Sequence, residues 1–188
     1  MRFPRALAVG VPVLLLAACR EPSPAAPELS LQSQSSQQKL TGGGWFDLQG
    51  VIPVNFNYDV SATLGAAASG TFHIFFEADG AVVDFDGAAQ CLSVDSENHR
   101  GWVGGVITAN RSTHPAFTDP VLHAAGADVW FRVVDYGEGA GAPADRSTTF
   151  GFRGSAGIIT SAEYCATRPW PDADARTWPV VRGNIQVR

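Results

Sequence analysis

Lysine is all but missing from these 188 residues: Lys39 stands alone, and 13 Lys and Arg face 18 Asp and Glu, for a net charge of -5. With a pI near 5.2 and no basic cluster, the chain lacks the positive face needed to neutralise phosphates, which speaks against nucleic acid as a partner. Cysteine is scarce, and neither Cys91 nor Cys165 has a CxxC neighbour or a His at ligand spacing, so zinc and redox-motif chemistry lack support. The four histidines, His73, His99, His114 and His123, never fall two apart on a strand or four apart on a helix. No stretch carries a sustained helical period. The nucleophile elbow of a serine hydrolase is also missing, because in Gly154-Ser155-Ala156-Gly157 the glycine directly precedes the serine. One long apolar run exists, from Ala6 to Ala18, and it is too short to span a bilayer as a mature helix.

That run follows Arg2 and Arg5, as in a secretory signal, and ends in Leu16-Ala17-Ala18-Cys19, which resembles a bacterial lipobox. The resemblance implies a signal peptide over residues 1–18, cleavage before Cys19, and lipid on its sulfur and its new amino terminus, palmitate included. Two or more acyl chains anchor a protein stably to a membrane. Arg20, rather than an Asp, follows the cysteine, which favours the outer membrane in a Gram-negative cell. Asn110-Arg111-Ser112 is a glycosylation sequon, but it has no force in a bacterial lipoprotein. With Cys19 lipidated, Cys91 and Cys165 remain as an even pair in an oxidising compartment, and a disulfide is the natural expectation.

Residues 19–44 run through Pro22, Pro24, Pro27, a Ser/Gln stretch and Gly42-Gly43-Gly44, a composition expected of a flexible tether. The folded domain is then expected over residues 45–188. Ile52, Val54, Phe56, Tyr58 and Val60 alternate with polar residues and Pro53, the period of a strand with one buried face that begins at, or forms, an edge. Phe72, Ile74 and Phe76 alternate likewise, and Ala78-Asp79-Gly80 turns into Val82–Asp86. Further strands are expected at Gln90–Asp95, Trp102–Thr108, Asp128–Asp135, Thr148–Arg153, Gly157–Thr160 and Val180–Arg188, with Gly104-Gly105 marking a bulge or bend. Eight or nine short strands joined by turns give an all-β class, a single antiparallel β-sandwich or closed β-barrel.

Gln90-Cys91-Leu92-Ser93-Val94, Gly104-Gly105, Val133 to Gly139 with Asp145, and Arg182-Gly183-Asn184-Ile185-Gln186-Val187 together resemble a group of bacterial exported β-domains ending in Gly-Asn-Ile-Gln-Val, similar to the so-called post-COAP domains. The resemblance spans residues 45–188. It implies an all-β fold with a cysteine pair and leaves the chemistry open.

Three groups of side chains are candidates for a site. Asp135, Glu138 and Asp145 bracket a Gly-rich loop, and calcium takes oxygen ligands from such loops; the alternative is that they cap and turn a strand. Asp84 and Asp86 share a strand face, either as paired carboxylates or as a wet face. Trp130, Trp170 and Trp178, with Trp102, offer indoles that stack on a glycan or anchor an envelope protein, unless loops or a second layer cover them. The leading expectation is a lipid-anchored extracytoplasmic β-domain with a non-catalytic binding or structural role at the cell envelope. One alternative is a carrier holding a small apolar ligand in a barrel interior, which a packed interior would argue against. The other is a hydrolase, which a cleft gathering a His with two carboxylates would favour.

Overall fold

In a computed structural model the chain is described over residues 37–171 and 176–188. Strands β1 (Gln37–Leu48), β2 (Ile52–Thr63), β3 (Ser69–Ala78), β4 (Ala81–Asp95), β5 (Arg100–Asn110) and β6 (Asp128–Val134) form an antiparallel meander, each paired with the next. The short β7 (Arg146–Ser147) and β8 (Gly151–Phe152) both pair with β6. The last strand, β9 (Trp178–Val187), pairs with β7 on one side and β1 on the other, so the sheet closes into a ring. The all-β expectation holds, with one α-helix among the described residues: α1, Ser161–Thr167. That helix and the 3-10 turn Ser155–Gly157 replace the strand expected at Gly157–Thr160.

The fold starts earlier than its composition suggests. Residues 37–44, assigned above to the tether, are the first two-thirds of β1, held between β2 and β9. Leu40 is fully buried, and the glycines are there for close approach: a Cβ on Gly42 would lie 2.8 Å from the Asn184 carbonyl oxygen. Glycine here lets two backbones approach. Cys19, the signal peptide and the rest of the tether lie outside the described residues. Pro53 is the second residue of β2, an inner strand, so it marks a start and not an edge.

One face of each long strand fills the ring. Phe46, Phe56, Tyr58 and Phe131 lie in a continuous run of ring contacts, with Phe56 to Tyr58 at 4.8 Å and Tyr58 to Phe131 at 4.2 Å between centroids. Aromatic pairs at such distances add to the burial of their large apolar surfaces. The Tyr58 hydroxyl and Ser147 Oγ hydrogen-bond at 3.0 Å inside this core, as a buried hydroxyl requires. Burial pushes the Tyr58 hydroxyl well above the usual tyrosine range. The interior is therefore packed, apart from an apolar recess of about 80 Å³ at one end.

The glycine pair lies where expected, but the bulge is in the partner strand. Gly105 pairs with Ala89 and Gly104 with Cys91, so Gln90 is the extra residue. This bend carries β4 under α1.

Candidate functional site

β6 is buried on both faces, as is its neighbour β5 from Gly101 to Gly105. The inner residues of β6, Val129, Phe131 and Val133, join the ring core, while Trp130 on the outer face joins Trp102, Ile158 and Tyr164 in a second apolar cluster beneath α1. A helix of seven residues is too short to hold itself in water, so its local signals and tertiary ties decide it. Thr160 caps the first turn by accepting from the Glu163 N–H at 3.1 Å, and Glu163 Oε2 accepts from the Ile159 N–H at 2.9 Å. Ser161 N–H donates to Asp128 Oδ1 at 2.8 Å, and the Cys91–Cys165 disulfide fastens the helix to β4. Gly104 makes room for this: a Cβ there would sit 2.6 Å from the Ser161 carbonyl and 2.7 Å from Cys91 Sγ.

Beside α1 the second layer opens into a cleft of about 320 Å³, walled by Trp130, Tyr164, Trp170, Trp178 and Phe150. The hydroxyl side chains Thr148, Thr149 and Ser155 also line it, and Arg176, the one charged residue among the described lining, lies over the Trp170 ring at 4.5 Å. The loop that carries Trp170 is held by two carbonyls, because Trp102 Nε1 donates to Pro169 at 3.0 Å and Arg132 donates to Trp170 itself. Trp178 stacks on Phe46, and Trp130 on Tyr164. Burial pushes the Tyr164 phenol well above its usual range and keeps it neutral.

The three tryptophans singled out from the sequence thus meet in one place, though not as freely exposed indoles. Trp130 is only 3% exposed, because α1 is the second layer covering it, while Trp170 and Trp178 are half-buried. Tyr164, Phe150 and Arg176 were missed. The signal for the first was Thr160-Ser161-Ala162-Glu163, a capping-box spacing that announces a helix just before Tyr164.

Asp135, Glu138 and Asp145 do converge, on the last strand. Asp145 accepts from the Tyr136 and Ile185 N–H groups at 3.0 and 2.8 Å, and Asp135 from Gly137 and Val187 at 2.7 and 2.9 Å. Glu138 accepts from the side-chain amides of Asn184 and Gln186. The acidic loop is a clasp on β9. Burial raises the Asp145 pKa against the opposing effect of its two N–H donors, and Asp135 and Glu138 add to the rise. Among the described residues no group of three or more His, Cys, Asp or Glu is arranged to hold a metal ion.

Asp84 and Asp86 share the outer face of β4 with two residues not linked to them in the sequence. His73 Nε2 lies 3.0 Å from Asp84, and Arg111 bridges Asp84 and Asp86, with contacts at 2.8 Å to each. The Arg111 hydrogen bonds hold the Asp84 carboxyl below the usual carboxylate range. Segment 111–113 is also laid along β4 through Arg111 N–H to the Asp84 carbonyl and Thr113 N–H to the Val82 carbonyl, so the charges fasten a loop. His73 and Asp86 line an open groove of about 490 Å³ with Asn57, Thr71 and Thr108. Of the other histidines, His99 sits exposed in a turn, His114 caps the turn Pro115–Phe117, and His123 is buried against Phe85, Phe117 and Phe152. Asn110 of the sequon is engaged, its amide donating to the Phe117 and His123 carbonyls at 2.9 Å. Ser155 Oγ accepts from the Phe152 N–H in a short turn. Compared with protein-family models, with curated proteins and with solved structures, the chain matches none.

Proposed function

We propose that this chain is a lipid-anchored, extracytoplasmic binding domain of the bacterial cell envelope, non-catalytic, which takes a glycan into the aromatic cleft between α1 and the Trp170 loop. The observation that supports it is the wall itself: Trp130, Tyr164, Trp170 and Trp178 around one space, with the hydroxyl side chains of Thr148, Thr149 and Ser155 and the Arg176 guanidinium. Indole faces cover the apolar side of a sugar ring while hydroxyls and Arg176 satisfy its oxygens. Lipid on Cys19 would hold the domain at a membrane, the outer one if the cell is Gram-negative.

Glycan-array binding with the mature chain from residue 20 onward tests this reading. Binding to a defined set of saccharides, weakened at least tenfold by Trp170→Ala or Trp178→Ala, is expected; an array without a hit contradicts it. A second reading, a hydrolase, draws on His73, which lies within 4.0 Å of both Asp84 and Asp86 and lines an open groove with Asp86. It stands second because Arg111 already pairs with both carboxylates and ties them to a loop. Turnover of an ester or glycoside probe that His73→Gln abolishes would bring it forward.

A further inference from the structure

Behind the cleft lies the apolar recess at the end of the ring, and the two spaces share a wall. Leu48, Ile74, Phe76, Val83 and Phe85 form the far side of the recess, while Thr149 and Phe150 line both recess and cleft. These two residues fall between β7 and β8, in the gap where the register to β6 is interrupted. Phe150 packs inward on Phe72 and Phe131, with centroids 5.3 and 5.5 Å away, yet it is only half-buried, because its other side meets the cleft. This one ring thus stands between a cleft of about 320 Å³ and a recess of about 80 Å³.

The walls differ in chemistry. Apart from Thr149, the recess is lined by hydrocarbon side chains alone, and such a cavity stays dry or takes an apolar guest. The cleft has the hydroxyls and the guanidinium. We infer that the ligand is a single-chain amphiphile, a saccharide head stacked in the cleft with its alkyl chain passing Phe150 into the recess. This rests on the reading of the cleft as a saccharide site and adds the tail. The order of the parts fits delivery from an envelope surface: the head is held where the loops carry polar groups, and the chain where the ring excludes water.

The test is a fluorescence titration of the mature chain from residue 20 onward with methyl, butyl, hexyl and octyl β-glucoside, each below its micellar concentration. Affinity is expected to rise about threefold to fourfold for each methylene that enters the recess, then to level off when it is full. Leu48→Trp, which fills the recess from its half-buried rim, is expected to flatten the series and leave methyl glucoside unchanged. Trp170→Ala is expected to weaken every member by the same factor. A flat series in the unaltered protein, with methyl glucoside bound, overturns the tail and spares the saccharide reading. A rising series that Leu48→Trp leaves intact overturns it too, because the chain then lies elsewhere. Absence of binding by every member removes both.

Discussion

Tyr164 lies over Trp130 with ring centroids 5.6 Å apart and planes within 21°, which makes the outer face of β6 one wall of the cleft. The contact exists only while α1 is held down. Removing the disulfide as Cys91→Ser with Cys165→Ser reopens a separation of 74 residues in the unfolded chain and frees a helix with little stability of its own. The expected loss is about 2–4 kcal/mol, seen as a Tm lowered by roughly 5–15 °C together with a red shift of tryptophan emission. A melt and spectrum unmoved by strong reductant would contradict this.

Gly104→Ala probes the same packing by insertion. The new methyl meets a backbone carbonyl at 2.6 Å, so α1 has to lift, at a cost of about 1–3 kcal/mol. Gly43→Ala is the control, since a Cβ there meets nothing closer than 3.7 Å, and it should be neutral or mildly stabilising. Equal melts for the two variants would show that Gly104 does not set the seat of the helix.

The clasp on β9 predicts a large effect for Asp145→Ala, which leaves the Tyr136 and Ile185 N–H groups without their acceptor. Chemical denaturation should show about 2–4 kcal/mol lost. Because the Asp145 pKa is raised in the folded state, its own pH term runs opposite to that of a salt-bridged acid: stability gains as pH falls through the folded value toward 3.8. Excess calcium is expected to leave the melt in place, since the oxygens of Asp135 and Asp145 already accept from the main chain. A rise of several degrees that Asp135→Asn and Glu138→Gln remove would make the loop a cation site instead.

Acid should act first through His123. Burial among Phe85, Phe117 and Phe152 lowers its pKa below the ordinary 6.5, with Asp119 opposing weakly. The unfolded chain then binds the proton more readily, so stability is full above about pH 6.5 and falls as pH drops through that value. His123→Phe, which suits the aromatic surroundings, should remove much of the loss that sets in below about pH 6.5. Asp84, held low by Arg111, stabilises the fold in full above about pH 3.8, and that contribution is lost as pH falls below 3.8 through its folded value. Identical pH profiles for His123→Phe and the unaltered chain would rule out His123 as the acid-sensitive group.

The ring was largely legible because its strands alternate at period two: Val54, Phe56, Tyr58 and Val60 point inward as their spacing requires. What misled was local composition. Gly42-Gly43-Gly44 suits a tether equally well, and only the approach of β9, from the far end of the chain, makes those glycines a strand. The cleft was half legible. Trp130 stood out on the polar side of its strand, but what covers it comes from α1, and a seven-residue helix carries too few turns to show a period. Arg111 and His73 meet Asp84 through strand register, which no local pattern encodes.

The most direct test of the cleft uses the five tryptophans as built-in reporters. In a ¹H–¹⁵N spectrum of the mature chain their indole N–H signals can be followed as octyl β-glucoside is added below its micellar concentration. The indoles of Trp130, Trp170 and Trp178 line the cleft, and those of Trp45 and Trp102 do not. The account predicts saturable shifts for the first three and stationary signals for the other two. Shifts confined to Trp45 or Trp102, or none at any concentration, would contradict it.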